Sequence, residues 1–99
     1  MKLIHNQRQN EKDLVRLARA LYNAALHEND KSRLEYYRQT AVSLSTLIND
    51  TVNKEGLLHP DLGISLILFI EGKASGSPQS EDDRRDADEI LTELETSLS

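Results

Sequence analysis

Leu62-Gly63-Ile64-Ser65-Leu66-Ile67-Leu68-Phe69-Ile70 is the stretch on which the fold class turns. It has no polar face, so it is either a helix buried on all sides or an extended core strand. A lone strand would have no partner elsewhere in this sequence, and a strand without a ladder leaves its backbone N–H and C=O groups unpaired. The stretch therefore reads as a helix. Pro60 opens it near His59-Pro60-Asp61, because the N–H that proline lacks has no partner in a first turn. Gly72 closes it, giving a helix over about 60–71.

Upstream, Leu34, Tyr37, Ala41, Leu44, Ile48 and Val52 step by three and four residues, close to a heptad seam and the clearest periodic signal in the chain. They predict a helix over about 32–55. Ser32, with Glu35 three residues on, has the form of a capping box at its start, and Gly56 followed by Leu57 has the form of a left-handed C-terminal cap. Before it, Leu14, Leu17, Ala18, Leu21, Ala24 and Ala25 share one face of a helix over about 10–28. Val15, Tyr22 and Leu26 lie on a second edge, so the apolar surface of this helix is wider than one neighbour covers. The short link at Asn29-Asp30 makes the two helices an antiparallel hairpin.

Downstream, 74–79 (Ala-Ser-Gly-Ser-Pro-Gln) reads as a flexible linker. Ser80 then caps an acidic amphipathic helix over 80–99, with Glu81 and Asp82 in its first turn, where the helix dipole favours them, and a narrow stripe of Ala87, Ile90, Leu91, Leu94 and Leu98. The expected architecture is all-α: a helical core over 1–73, made of the hairpin and a buried third helix, plus the acidic C-terminal helix, together a small four-helix bundle.

Composition excludes several classes. The 99 residues allow one domain with a modest core. There is no cysteine, so there is no disulfide framework, thiolate metal site or cysteine nucleophile. No apolar run reaches the roughly 20 residues of a membrane-spanning helix, and Met1 to Arg8 lacks the apolar core of a signal peptide, so the expected location is the cytoplasm. His5, His27 and His59 are not spaced as metal ligands, and no cofactor or small-molecule substrate is indicated. The carboxylates of the last helix look solvated and lack the apolar surroundings that shift a catalytic acid or base. No motif of catalysis is present.

Charge is divided along the chain. From Met1 to Thr40 there are eight Lys and Arg against five Asp and Glu, and from Ala41 to Ser99 four against twelve, so that +3 and −8 make up the net −5. Arg8, Lys12, Arg16 and Arg19 share one face of the first helix, a solvated outer face or a stripe that binds an anion or an acidic partner. DNA is one such anion, but a net acidic chain with four aromatic residues is unlike general nucleic-acid binders. The acidic last helix offers another, within one chain or between two.

Asp61-Leu62-Gly63-Ile64-Ser65-Leu66, in a small acidic helical protein, resembles the segment of acyl carrier proteins in which an Asp-Ser-Leu serine receives phosphopantetheine. The resemblance implies Ser65 as the attachment site. It covers about six residues, Ile64 stands where the family has its aspartate, and two helices precede the segment instead of one.

These observations point to a non-enzymatic helical protein–protein interaction module, a regulator or adaptor that self-associates as a dimer. The expected partner contacts are Val15, Tyr22 and Leu26, beside the basic stripe of Arg8, Lys12, Arg16 and Arg19. The alternatives are a DNA-binding helical regulator using that stripe, an acyl-carrier-like protein modified at Ser65, and an acidic inhibitor that mimics nucleic acid with its last helix.

Overall fold

The computed structural model describes residues 2–52 and 58–98, with side chains from 8–51 and 58–98. Four helices are present among them: α1 Lys2–Leu26, α2 Lys31–Val52, α3 Asp61–Ser75 and α4 Ser80–Leu98. The decisive stretch is helical, and the fold is the expected four-helix bundle. Residues Gly56 and Leu57, expected to terminate the second helix, lie outside the described residues.

Cross-helix contacts fix the directions. Near the start of α1, Arg8 donates to the carbonyl of Ser97 at the end of α4 (3.5 Å), and near its end Tyr22 meets Arg84 at the start of α4, so these two helices are antiparallel. Arg38 pairs with Glu71 while Ser45 lies against Gly63, which makes α2 and α3 antiparallel as well. Lys73, in the last turn of α3, reaches the carbonyls of Ala25 and Leu26 that end α1, at 2.6 and 2.5 Å. The topology is therefore up-down-up-down. α1 and α3 occupy opposite corners and touch only slightly.

The core runs down the middle. α1 contributes Val15, Ala18, Leu21, Tyr22 and Ala25, and α2 contributes Leu34, Ala41, Leu44 and Ile48. From α3 come Leu62, Leu66, Phe69 and Ile70, and from α4 Ala87, Leu91, Leu94 and Leu98. The seam of α2 and the narrow stripe of α4 thus face inward as their spacing predicts. α3 does not bury every side: Ile64 and Leu68 are 54% and 46% exposed. A corner helix in a bundle of four has neighbours on only two flanks, and apolar sequence alone supplies no third. Leu17, counted with the inner face of α1, is 58% exposed, whereas the acidic Glu11 is buried at 3%.

Local chemistry sets the helix ends. α2 is capped by Asp30, whose Oδ1 accepts the N–H of Ser32 at 2.8 Å, so the aspartate performs the role expected of Ser32. Glu35 is drawn to Arg38 at 2.7 Å. α3 runs on past Gly72 to Ser75. Its C-terminal cap is Gly76 (φ 73°), with the N–H groups of Gly76 and Ser77 bonded to the carbonyls of Lys73 and Gly72. Residues 74–79 are accordingly the last turn of α3 and a hydrogen-bonded turn, in which Ser77 Oγ accepts the N–H of Gln79 and Ser77 O accepts that of Ser80. Gly72 has a different use. A Cβ there would lie 2.8 Å from Cβ of Ser80, so its absence lets α4 start against the body of α3. α1 begins at Lys2, eight residues ahead of the expected start.

Candidate functional site

The basic stripe and the acidic helix meet within one chain. Arg19 projects from α1 toward α4, where its Nε and Nη2 donate to the two carboxylate oxygens of Glu95 at 2.9 and 2.8 Å and its Nη1 donates to Asp88 at 2.9 Å. Nη2 also reaches the Thr92 hydroxyl at 3.3 Å. Asp88 and Glu95 are seven residues apart, two turns of one helix face, so a single guanidinium spans both. The hydrogen bonds that Arg19 donates, chiefly to Glu95 and then to Asp88, raise its pKa above the ordinary value, although partial burial opposes the shift. The same guanidinium lies 5.3 Å from the centre of the Tyr22 ring.

Tyr22 is a junction of three helices. Its ring is 5.5 Å from that of Phe69 on α3, and its hydroxyl accepts from Arg84 Nη1 on α4 at 3.0 Å. Arg84 is held in turn by Glu81 at 2.6 Å. Val15 and Tyr22, expected at a partner interface, are buried in the chain's own core, and Leu26 packs against it. The second apolar edge of α1 is covered by α3 and α4.

The four stripe cations are used unequally. Arg19 is engaged by α4, and Arg8 touches it through the carbonyl of Ser97. The Arg16 side chain is 77% exposed, with Asp13 Oδ1 4.0 Å from its Nη1. Lys12 makes no ion pair among the described residues. Lys12, Val15 and Arg16 form one wall of a groove of about 350 Å³ whose other wall is Glu95 and Leu98.

Three large apolar side chains come together on the opposite side of the bundle. On α2, Lys31, Glu35, Arg38, Val42 and Ser45 share the edge beside α3; on α3, Asp61, Ile64, Leu68 and Glu71 share the outer stripe. Arg38 faces Glu71 at one end and Ser45 faces Gly63 at the other, which places Val42 (43% exposed) between Ile64 and Leu68. The close approach of α2 and α3 behind this patch depends on Gly63. A Cβ there would lie 2.9 Å from Cα of Ser45. The patch was hidden in the sequence because an apolar run of nine residues does not reveal which of its members lack a neighbour.

Ser65 is partly buried in the second turn of α3. His59 acts locally: its Nδ1 accepts the N–H of Asp61 at 3.1 Å and caps the start of α3. Among the described residues no three His, Cys, Asp or Glu side chains converge as a metal site, and no helix is long and apolar enough to cross a membrane. No protein-family model, curated protein or solved structure matches this chain.

Proposed function

We propose that this protein is a non-enzymatic helical interaction module that pairs with a second copy through the α2/α3 face. The observation that supports it is the patch of Val42, Ile64 and Leu68, between 43% and 54% exposed on one side of a bundle whose fourth helix carries no large exposed apolar side chain. Water contact at such a patch is unfavourable by about 25 cal/mol per Å² of apolar area, so covering it is a driving force for association.

The rim is polar and close to charge-balanced: Lys31, Glu35, Arg38 and Glu71 lie toward one end of the patch and Asp61 at the other, and a two-fold axis through the patch would bury its apolar centre inside this border. Arg38 and Glu71 stay paired on the rim, where the polar border of an interface belongs.

Light scattering across a concentration series tests the proposal. The expected result is a mass that rises from 11.2 kDa toward twice that value, and a protein with Ile64→Lys and Leu68→Glu that stays at 11.2 kDa while keeping its helical circular dichroism. A wild-type mass of 11.2 kDa at every concentration up to about 1 mM would exclude self-pairing as the function of this face.

A further inference from the structure

We infer that a second face of this chain, between α1 and α2, joins the pairs described above into a closed four-chain assembly with α2 at its centre. The inference rests on pairing through the α2/α3 face and concerns the apolar surface that such pairing leaves uncovered. Leu17, Tyr36 and Leu47 are 58%, 68% and 55% exposed. Tyr36, Thr40 and Leu47 lie on the flank of α2 away from α3, and Leu17 follows Leu14 and precedes Leu21 on the flank of α1 away from Arg19 and α4. Counting back along both helices from their short link sets Leu17 level with Thr40, between Tyr36 and Leu47. Tyr36 stands edge-on against Tyr37, with ring centres 6.3 Å apart, so it presents a fixed surface. The six large exposed apolar side chains among the described residues thus form two triads, on the two faces of the bundle that meet at α2.

The exposed side of α2 between the triads is suited to burial. Residues 39–49 carry no charge. Thr40 and Thr46 donate their hydroxyl hydrogens to the carbonyls of Tyr36 and Val42 at 3.1 and 3.2 Å, so covering them strands no donor. Geometry then sets the number of chains. The bundle is nearly square in section, 21 by 20 Å, so its α1/α2 and α2/α3 faces meet at about a right angle, and four such corners close a circle around α2. Both triads are centred near residues 41–43 of α2, within one turn of each other, so the two-fold axes of the two faces meet and the assembly closes instead of growing as an open chain. Each face measures at most 46 by 21 Å, comparable with the roughly 800 Å² per partner of a standard interface, so one copy fills one face and a single mate cannot cover both. Two pairs that join make two α1/α2 contacts in one step and lose rigid-body freedom once. A chain unable to pair through α2/α3 makes only one such contact and stays single.

Sedimentation equilibrium of the full chain at concentrations up to about 1 mM tests the inference. The wild-type mass should pass twice 11.2 kDa and level off at four times that value. A Leu17→Lys, Leu47→Glu protein should level off at two chains; both replaced side chains are outside the core, so its circular dichroism should match the wild type. The Ile64→Lys, Leu68→Glu protein should stay at one chain. A wild type that levels off at two chains would leave the α2/α3 pair standing and overturn the four-chain assembly, whereas a wild type that stays at one chain would overturn both. Growth without a plateau would mean an open chain and overturn closure. Four chains in the Leu17→Lys, Leu47→Glu protein would put the second contact elsewhere and overturn the role of this face. A single chain in that protein would overturn the assembly as well, since each contact would then join unlike faces.

Discussion

Arg19 and Glu95 are joined by two parallel hydrogen bonds, Nε and Nη2 to the two carboxylate oxygens, across the seam between the first and last helices. The pair is more than a lone surface bridge, because Asp88 shares the guanidinium and Tyr22 lies beneath it. Exposed single pairs contribute about 0–1 kcal/mol, and bidentate networks more. Arg19→Met, which keeps the apolar stem, should cost about 1–2 kcal/mol in urea unfolding at low ionic strength. The loss should shrink in 1 M salt, where charges are screened over about 3 Å. An equal loss at both salt concentrations would show that packing, and not charge, joins α4 to α1 here.

Gly63 should behave opposite to its helix propensity. Replacing an interior helical glycine by alanine ordinarily stabilises by about 0.5–1 kcal/mol. Here the new Cβ would lie 2.6 Å from Cβ and 2.9 Å from Cα of Ser45, and backbone cannot step aside as a side chain does. Gly63→Ala should therefore destabilise, by about 2 kcal/mol. Adding Ser45→Gly removes the Cβ and Oγ from the contact and should return part of the loss. If Gly63→Ala raises the urea midpoint, α2 and α3 are not in close contact at this point.

The parts of the fold legible in the sequence were those where one face decides. The Leu34–Ile48 seam and the Ala87–Leu98 stripe each have a single apolar side, and both face the core. Two features escaped. Glu11 reads as one more solvent charge because its partner, the backbone N–H of Leu58, is 47 residues away and carries no sequence signal. Gly72 reads as a helix stop because a glycine needed for close approach and a glycine needed for a left-handed cap look alike; the cap is Gly76. The candidate site was half legible. Spacing gathers Arg8, Lys12, Arg16 and Arg19 on one face, but the same spacing cannot tell that α4 engages Arg19 and leaves Arg16 exposed. The apolar edge of Val15 and Tyr22 was visible too, yet its cover came from within the chain.

Two exposed glutamates give the bundle an acid-sensitive component. Arg38 hydrogen-bonded to Glu35, and Arg84 hydrogen-bonded to Glu81, hold these carboxyls below their ordinary range. A carboxyl whose pKa is lower folded than unfolded contributes stability that is complete above the unfolded value of about 4.3 and is lost as pH falls through the folded value. The wild type should therefore lose thermal midpoint more steeply between about pH 4.5 and pH 3 than a Glu35→Gln, Glu81→Gln protein. Parallel curves through that window would mean that neither pair persists in solution.

The buried carboxylate of Glu11 accepts the N–H of Leu58 at 3.1 Å and so ties the first helix to the residues that lead into the third. Leu58 is itself a core residue, so this N–H is shut off from water and would have no ready substitute partner. Glu11→Leu should cost about 1–3 kcal/mol, since it strands a buried donor even though it adds apolar volume. Glu11→Gln keeps an acceptor oxygen at the same reach and should cost less. Hydrogen exchange separates this local effect from general destabilisation: the Leu58 amide should exchange faster in Glu11→Leu than the loss of global stability accounts for, and in Glu11→Gln it should not. Equal protection of that amide in the two proteins would mean that the Glu11 carboxylate does not hold the Leu58 N–H in solution.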